Sequence, residues 1–302
     1  MNGHHYPMKS IYQYCQISKQ AHHQNLHREQ LWLSKEKIMV GLILQAREIH
    51  PAMGLRTIYN AYQPESIGRD AFISIGLKYG FRTKVFRNQT KTTFSSPYSR
   101  YCNLLINKIL TNVNQLWTSD ITYFEVNGEF FYIVFIMDVY SRLIVGYAVA
   151  DNMKAINNVQ ALEMALKVRK TTDFQGKLIH HSDRGGQYVS NQYVGLLQKA
   201  NIQISMCNQV YENAHIERVN GTIKNQYLCH WNITNEQQLK IALKRAVETY
   251  NNLRPHSALN NLTPKTFEQH IKELEGSKRP KLTIWCDNST KFTNPNQCLL
   301  QF

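Results

Sequence analysis

Not one acidic residue falls between Ala71 and Ser119, a stretch that carries Lys78, Arg82, Lys84, Arg87, Lys91, Arg100 and Lys108. Such a segment cannot balance its own charge, and it excludes a cation-gathering role for this part of the chain. Long apolar runs are missing as well. The longest, Phe130 to Met137, is far too short for a membrane-spanning helix. The N-terminus has no apolar core behind its first charges, so no secretory signal is expected. Paired cysteines are also absent. The six cysteines, at 15, 102, 207, 229, 286 and 298, form no CxxC motif. That spacing excludes a zinc finger or a disulfide framework and predicts free thiols in a reducing cytoplasm. His22, His23 and His27 lie near Cys15, but four tetrahedral ligands cannot be assembled from them at zinc-like spacing. No internal repeat is present, which excludes solenoid architectures.

What is present is length, core-forming residues and positive charge. The 302 residues, 43% of them hydrophobic, are enough for about two domains. The formal net charge of +14 and a pI near 9.5 point to a polyanionic partner, with nucleic acid first. A basic surface without a specific partner is the simpler alternative. The charge is uneven: residues 1–110 hold 15 Lys and Arg against 5 Asp and Glu, whereas 111–302 hold 20 against 16. The front of the chain therefore reads as the electrostatic grip.

Periodicity divides the chain. Ser34 is placed to cap a helix with Ile38, Leu42, Ala46 and Ile49 on one face. Pro51 and Gly54 end it, Leu55 to Tyr62 makes a second helix, and Asp70 is placed to cap a third over Ala71 to Tyr79, with Gly80 as its stop. Short helices and tight turns beside Arg56, Arg69 and Lys78 suit a helix-turn-helix module; a small helical bundle with solvated charges is the alternative. The stretch NQTKTTFSSPYSR, 88–100, reads as a linker. From Trp117 the period changes. Strands are expected at Trp117–Val126, Phe130–Val139 and Leu143–Ala150, with Asn127-Gly128 as a hairpin turn. The run from Phe130 is apolar enough for burial on both faces. Short strands at Lys177–His181 and Ile202–Met206 then alternate with helices at Asn157–Val168, Asn191–Ala200, Asn213–Leu228 and Glu236–Asn251. The order predicts an α/β domain on a mixed five-stranded sheet with flanking helices, preceded by a small all-α domain.

Three carboxylates stand out against this frame. Asp120 lies inside a strand beside Trp117, Ile121 and Tyr123, where a charge is costly unless paired or metal-bound. Asp183, in HHSDRGGQYVS, ends the fourth strand. Glu217 sits in the helix of YENAHIERVNGTIKNQYL. Carboxylates from a central strand, a neighbouring strand end and a later helix can converge, and like charges at close range raise one another's pKa. A divalent cation removes that conflict, and hard oxygen ligands suit Mg²⁺ or Mn²⁺. Two such ions about 3.5–4 Å apart can serve both the attacking and the leaving oxygen of a phosphodiester. Gly185 and Gly186 would let a substrate backbone come close, although a plain turn explains them too.

Read together, WTSDITY, HHSDRGGQYVS, SMCNQVYENAHIERVNGTIKNQYL and YNNLRPHSALNNLTP closely resemble the DDE transposases of bacterial insertion sequences. The resemblance is strongest to the second reading frame of insertion-sequence family three, relatives of retroviral integrases. It runs from about Arg47 to Phe267. REIHPAMGLRTIY and GRDAFISIGLKYG resemble that family's helix-turn-helix segment. Each motif alone is weak, but the four in order are specific. The resemblance implies a ribonuclease-H-like core that cuts and joins DNA at element ends with divalent metal: two Mg²⁺, with Mn²⁺ able to substitute. It assigns Asp120, Asp183 and Glu217 as the three acids and metal ligands. Between Asp183 and Glu217 lie 33 residues, two fewer than the family usually has, and the deficit falls within CNQV after Met206. Glu212 is the rival third acid, although a carboxylate at a helix start is also ordinary capping chemistry.

Other residues receive lesser assignments. Lys224 and Asn213 share the helix face of Glu217 and could contact DNA. Arg184 could bind phosphate or pair with a carboxylate. Arg56, Arg69, Lys78, Lys84 and Arg87 are candidate DNA contacts of the basic front. Asp138 is expected to cap its turn through Ser141 or to pair with Arg142 rather than bind metal. Arg254 and His256 read as packing or DNA contact. The expected organisation is a helix-turn-helix region over 1–87, a basic linker over 88–112, a catalytic core over 113–272 and a tail over 273–302. The expected partners are double-stranded DNA carrying terminal inverted repeats, target DNA, further copies of the chain and a fused upstream reading frame. The expected location is the bacterial cytoplasm, at the nucleoid. The rival readings are another ribonuclease-H-like nuclease and an inactive DNA-binding remnant.

Overall fold

The computed structural model describes residues 7–84, 99–170, 173–207 and 210–284. Arg87, positions 88–98 of the expected linker and positions 285–302 of the expected tail lie outside the described residues. Two compact units are present, one formed by 1–49 and 53–83, the other by 50–52 and 84–302.

The first unit is helical. α1 spans Met8–Tyr14, α2 Lys19–Ile49, α3 Leu55–Tyr62 and α4 Arg69–Lys78. Its core gathers Met39, Ile43, Ala46, Met53, Leu55, Ile58, Ile67, Phe72 and Ile75. Three expectations need correction here. The helix begins fifteen residues before Ser34, whose hydroxyl donates to Gln30 O within the helix instead of capping it. The buried face is Met39, Ile43 and Ala46, while Ile38 is 64% exposed. Apolar residues lie on both sides of this helix, so periodicity alone cannot choose between neighbouring faces. Asp70 sits in the first turn of α4 and pairs with Arg69, and Gly68 occupies the cap position. Gly80 does follow the helix end with φ +76°, a left-handed conformation that suits glycine.

The second unit is built on a sheet. β1 is Ile109–Leu110, β2 Leu116–Val126, β3 Glu129–Asp138, β4 Ile144–Ala150, β5 Ile179–Ser182 and β6 Gln203–Met206. The helices are α5 (Ala155–Arg169), α6 (Asn191–Lys199), α7 (Ala214–Gln226), α8 (Glu236–Asn252) and α9 (Pro264–Glu273). β7, Leu282–Thr283, pairs antiparallel with β1. The remaining strands form one sheet in the order β4-β3-β2-β5-β6, antiparallel across β2–β3 and β3–β4, parallel across β2–β5 and β5–β6. This is the expected mixed five-stranded sheet. Asn127 and Gly128 both have positive φ and join β2 to β3 as a two-residue hairpin.

Both faces of the sheet are covered. Ile133, Phe135 and Met137 of β3 pack with α7, α8 and α9 through Ile216, Val219, Ile223, Leu243 and Phe267. Val134 and Ile136 pack on the opposite side with Val159, Leu162, Tyr193 and Leu197 of α5 and α6. The near-continuous apolar run of β3 is the imprint of that double burial. Among the described residues no helix is long and apolar enough to cross a membrane. Cys15, Cys207 and Cys229 are free thiols, whereas Cys102 is disulfide-bonded, a departure from the expectation of free thiols throughout.

One backbone contact sets how closely α5 lies on β4. A Cβ added to Gly146 would fall 2.1 Å from the carbonyl oxygen of Ala161. Helix and strand cannot both stay in place around it. Gly146→Ala should therefore destabilise the second unit by about 1–3 kcal/mol, the usual range for overpacking. Urea unfolding checks it, and an unchanged midpoint would refute the tight approach of α5.

Candidate active site

The parallel register of β2 and β5 brings the first two carboxylates together. Ser119 pairs with Ser182, so Asp120 and Asp183 occupy the next position on neighbouring chains. Adjacent strands lie about 4.8 Å apart. Alternation puts both on the side of the sheet that faces α7. Trp117, on the other parity, packs with the opposite core.

α7 runs along β2 and touches it with one stripe of polar residues, Asn213, Asn220 and Lys224. Asn213 Nδ2 donates to Ser119 O at 3.0 Å. Asn220 Nδ2 donates to Asp120 Oδ2 at 2.8 Å. Lys224 Nζ donates to Tyr123 O at 3.3 Å and lies 5.1 Å from the centre of the Tyr123 ring. Glu217 lies on the same stripe, one turn before Asn220, and is exposed. On the other flank, Gly185 N donates to Asp183 Oδ1 at 3.0 Å. A Cβ on Gly185 would come within 3.0 Å of that same oxygen, so glycine there keeps the carboxylate uncrowded. Gly186 has open space around its Cα and carries no such demand.

The electrostatics follow from burial and crowding. Burial, then the charges of Asp183 and Glu217, pushes the Asp120 carboxyl up to about 8, against a weaker opposing effect of the Asn220 amide. Burial also raises Asp183 and Glu217. Asp120 thus sits within electrostatic reach of both other acids. A carboxyl whose folded pKa lies above its unfolded value favours folding at low pH, and that contribution is lost as pH rises through the folded pKa. In EDTA, Asp120→Asn should match the parent in thermal stability near pH 4 and exceed it above pH 8. Equal melting curves across the range would mean that burial and the neighbouring acids do not raise Asp120.

The remaining sequence-derived residues fall in different places. Glu212, in the turn Val210–Asn213, groups with His181 and Cys207 rather than with Asn220. Arg184 Nε donates to Cys207 O at 2.9 Å and braces the end of β6. Lys224 is only 5% exposed and Asn213 3%, so both are built into the α7–β2 join. Asp138 accepts from the backbone N–H of Asn114, Tyr140 and Ser141. Its cationic partner is Arg169 at 3.1 Å, not Arg142. Arg142 instead reaches His215 Nδ1 at 2.6 Å, where burial, then Arg142 and Arg218, lowers the imidazole to about 4. In the helical unit Lys78 is tied to buried Glu36 at 2.7 Å, Arg69 pairs with Asp70, and Arg56 is exposed; Lys84, which belongs to the second unit, is exposed too.

Two contributors were missed by sequence reasoning. Asn220 is legible only as a polar residue one turn after Glu217. Tyr188 is fully buried, and its hydroxyl lies 3.0 Å from Ser119 Oγ, beneath the two aspartates.

An integrase core domain family matches residues 111–210 and a second integrase core domain family matches 198–264. The chain is 32% identical over 213 residues to a 31 kDa protein of insertion element IS600 from Shigella sonnei, covering 69% of this chain and 77% of that one. It is 28% identical over 269 residues to the transposase of insertion sequence element IS629 from Shigella sonnei, covering 86% and 87%. Transposase InsF of insertion sequence IS3A from Escherichia coli is 32% identical over 158 residues, or 51% and 54%. Among solved structures, the catalytic core of HTLV-2 integrase in complex with magnesium is similar with a TM-score of 0.41 and 20% identity, over 52% of this chain and 97% of that one.

Proposed function

The chain belongs to the DDE transposases of insertion-sequence family three, polynucleotidyl transferases with a ribonuclease-H-like integrase core, and from that premise we propose that Asp120, Asp183 and Glu217 are its catalytic acids and cut and join DNA at the element's ends. The observation that carries the assignment is the shared register of Asp120 and Asp183, faced by the polar stripe of α7 that holds Glu217.

These residues fit a divalent cation. Three carboxylates gather on the α7 side of the sheet, each raised by burial, and Asp120, raised further by the charges of Asp183 and Glu217, rises to about 8. Asn213 Oδ1 and Asn220 Oδ1 are buried acceptors without a partner among the described residues, placed to receive hydrogen bonds from a hydrated ion or from substrate. The donor set is all oxygen, which selects Mg²⁺ and tolerates Mn²⁺. Two such ions, when bound, would supply Lewis acidity at the scissile phosphodiester and lower the pKa of water.

The chain's own groups do the positioning. Asn220 fixes Asp120, the Gly185 amide fixes Asp183, and Gly185 leaves room beside it. In the first step water attacks phosphorus, the bond to the 3′ oxygen breaks, and a 3′ hydroxyl and a 5′ phosphate are released. In the second, that hydroxyl attacks a target phosphodiester in line and displaces its 3′ oxygen, so the number of phosphorus–oxygen bonds is conserved. Exposed cations, Arg56 of the helical unit and Lys84 of the second among them, would hold phosphates on the flanking duplex. Two DNA ends call for at least two copies of the chain, and a fused upstream reading frame would add further DNA contacts.

The test is cleavage and strand transfer on a labelled duplex carrying the element's ends, with Mg²⁺, Mn²⁺ or EDTA. Nicking and joining with either metal, and neither in EDTA, is the expected result. Cleavage without joining would assign the chain to the nucleases of this fold. DNA binding without cleavage under any metal would overturn the catalytic reading for this chain alone.

A further inference from the structure

We propose that His181, Cys207 and Glu212 form a second metal site, distinct from the three acids, for a borderline-soft divalent cation of the Zn²⁺ class. It goes beyond the transposase reading and shares no ligand with it. One ligand atom from each residue lies within 4.8 Å of the others. His181 Nε2 is 3.1 Å from Cys207 Sγ, and both side chains are buried. A thiolate, an imidazole and a carboxylate, with a fourth position for water, are the donor types that Zn²⁺ takes in tetrahedral sites. The three oxygen ligands nearby would favour Mg²⁺ instead, so the two sites select different ions by donor softness.

The surroundings support the imidazole as a ligand. His181 lies in β5 beside Ser205 of β6, in register. His181 Nδ1 is 2.9 Å from Ser205 Oγ, which also accepts from Leu104 N at 2.9 Å. With Nδ1 donating to that hydroxyl, the Nε2 lone pair is turned toward Cys207. A hydrogen bond on the far nitrogen is the usual way a metal-binding histidine is oriented.

The site has a structural role open to it. Cys207 directly follows β6, and its N–H still pairs with Ser182 O. Glu212 stands in the turn that leads into α7. One ion held by both would tie the sheet to the helix that carries Glu217.

The full chain, stripped with chelator and dialysed, would be titrated with Co²⁺ in excess Mg²⁺. One equivalent with a sulfur-to-cobalt charge-transfer band is expected. Cys207→Ser should abolish the band, and Glu212→Gln should weaken binding roughly 10- to 100-fold. Asp183→Asn should keep the band, whatever the fate of DNA cleavage, which separates this site from the transposase reading. Zn²⁺ should also raise the melting temperature of the parent but not of Cys207→Ser, with circular dichroism showing that the variant is folded. No band in the parent, or a band that survives Cys207→Ser or disappears in Asp183→Asn, overturns the proposal.

Discussion

Glu217→Gln and Asp183→Asn should each lower metal-dependent strand cutting and joining by on the order of 10³-fold or more, the scale on which catalytic units fail when one member is removed. Both changes keep side-chain size and remove one charge. DNA binding should therefore persist, and gel-shift affinity measured beside cleavage separates chemistry from folding. Glu212→Gln is the informative comparison. It neighbours His181 and Cys207, whereas Glu217 is one of the two charges that raise Asp120. Its loss should cost roughly 10- to 100-fold, the size expected of a supporting ligand. Equal collapse in Glu212→Gln and Glu217→Gln would remove the basis for choosing between them. Full activity in Glu217→Gln would move the third acid to Glu212 outright.

Arg169→Met should destabilise the second unit by about 3–5 kcal/mol, because it leaves two acids without their cation. Arg169 donates to Glu268 at 2.7 and 2.8 Å and to Asp138 at 3.1 Å. Its side chain is 8% exposed and that of Asp138 0%. Ser141 Oγ closes the network on Glu268 at 2.6 Å. The arginine ends α5, Asp138 ends β3 and Glu268 lies in α9, so one guanidinium joins three elements drawn from distant parts of the chain. Arg169→Lys should recover only part of the loss, since an ammonium cannot serve both carboxylates with a planar fork. Urea unfolding at neutral pH measures both variants. A change of less than about 1 kcal/mol in Arg169→Met would show the network to be worth no more than a surface pair.

The sheet was legible in the sequence because its signals are local. Alternation, a two-sided apolar run and Asn127-Gly128 each act within a few residues, and they locate β2, β3 and β4 to within two residues. The three acids were legible as residue types, Asp120 inside a strand, Asp183 at a strand end and Glu217 in a helix, and the register of β2 on β5 brings two of them together. What escaped was pairing over distance. Asp138 was expected to cap its turn through Ser141 or to meet Arg142, four residues away; the Ser141 N–H does bond to it, but its cationic partner is 31 residues on, because α5 returns across the sheet before Arg169 appears. Asn220, Tyr188 and His215 were invisible for the same reason: their partners lie 100, 69 and 73 residues away. The face of α2 was misjudged because apolar residues line more than one side of it, and only the packed core of the helical unit decides among them.

The small ribbon of β1 and β7 has a consequence for how the catalytic body can be used. Ile109 pairs with Thr283 and Leu110 with Leu282, and Ile284 N donates to Lys108 O. Residues 108–110 and 282–284 are therefore held side by side on the sheet-bearing body. Neighbouring entry and exit points are the geometry that tolerates circular permutation and insertion into a host protein. Strands that start 173 residues apart in the sequence, at Ile109 and Leu282, are thus clasped together, and a sheet-bearing body opened at the Asn127-Gly128 turn should still be held closed by this ribbon.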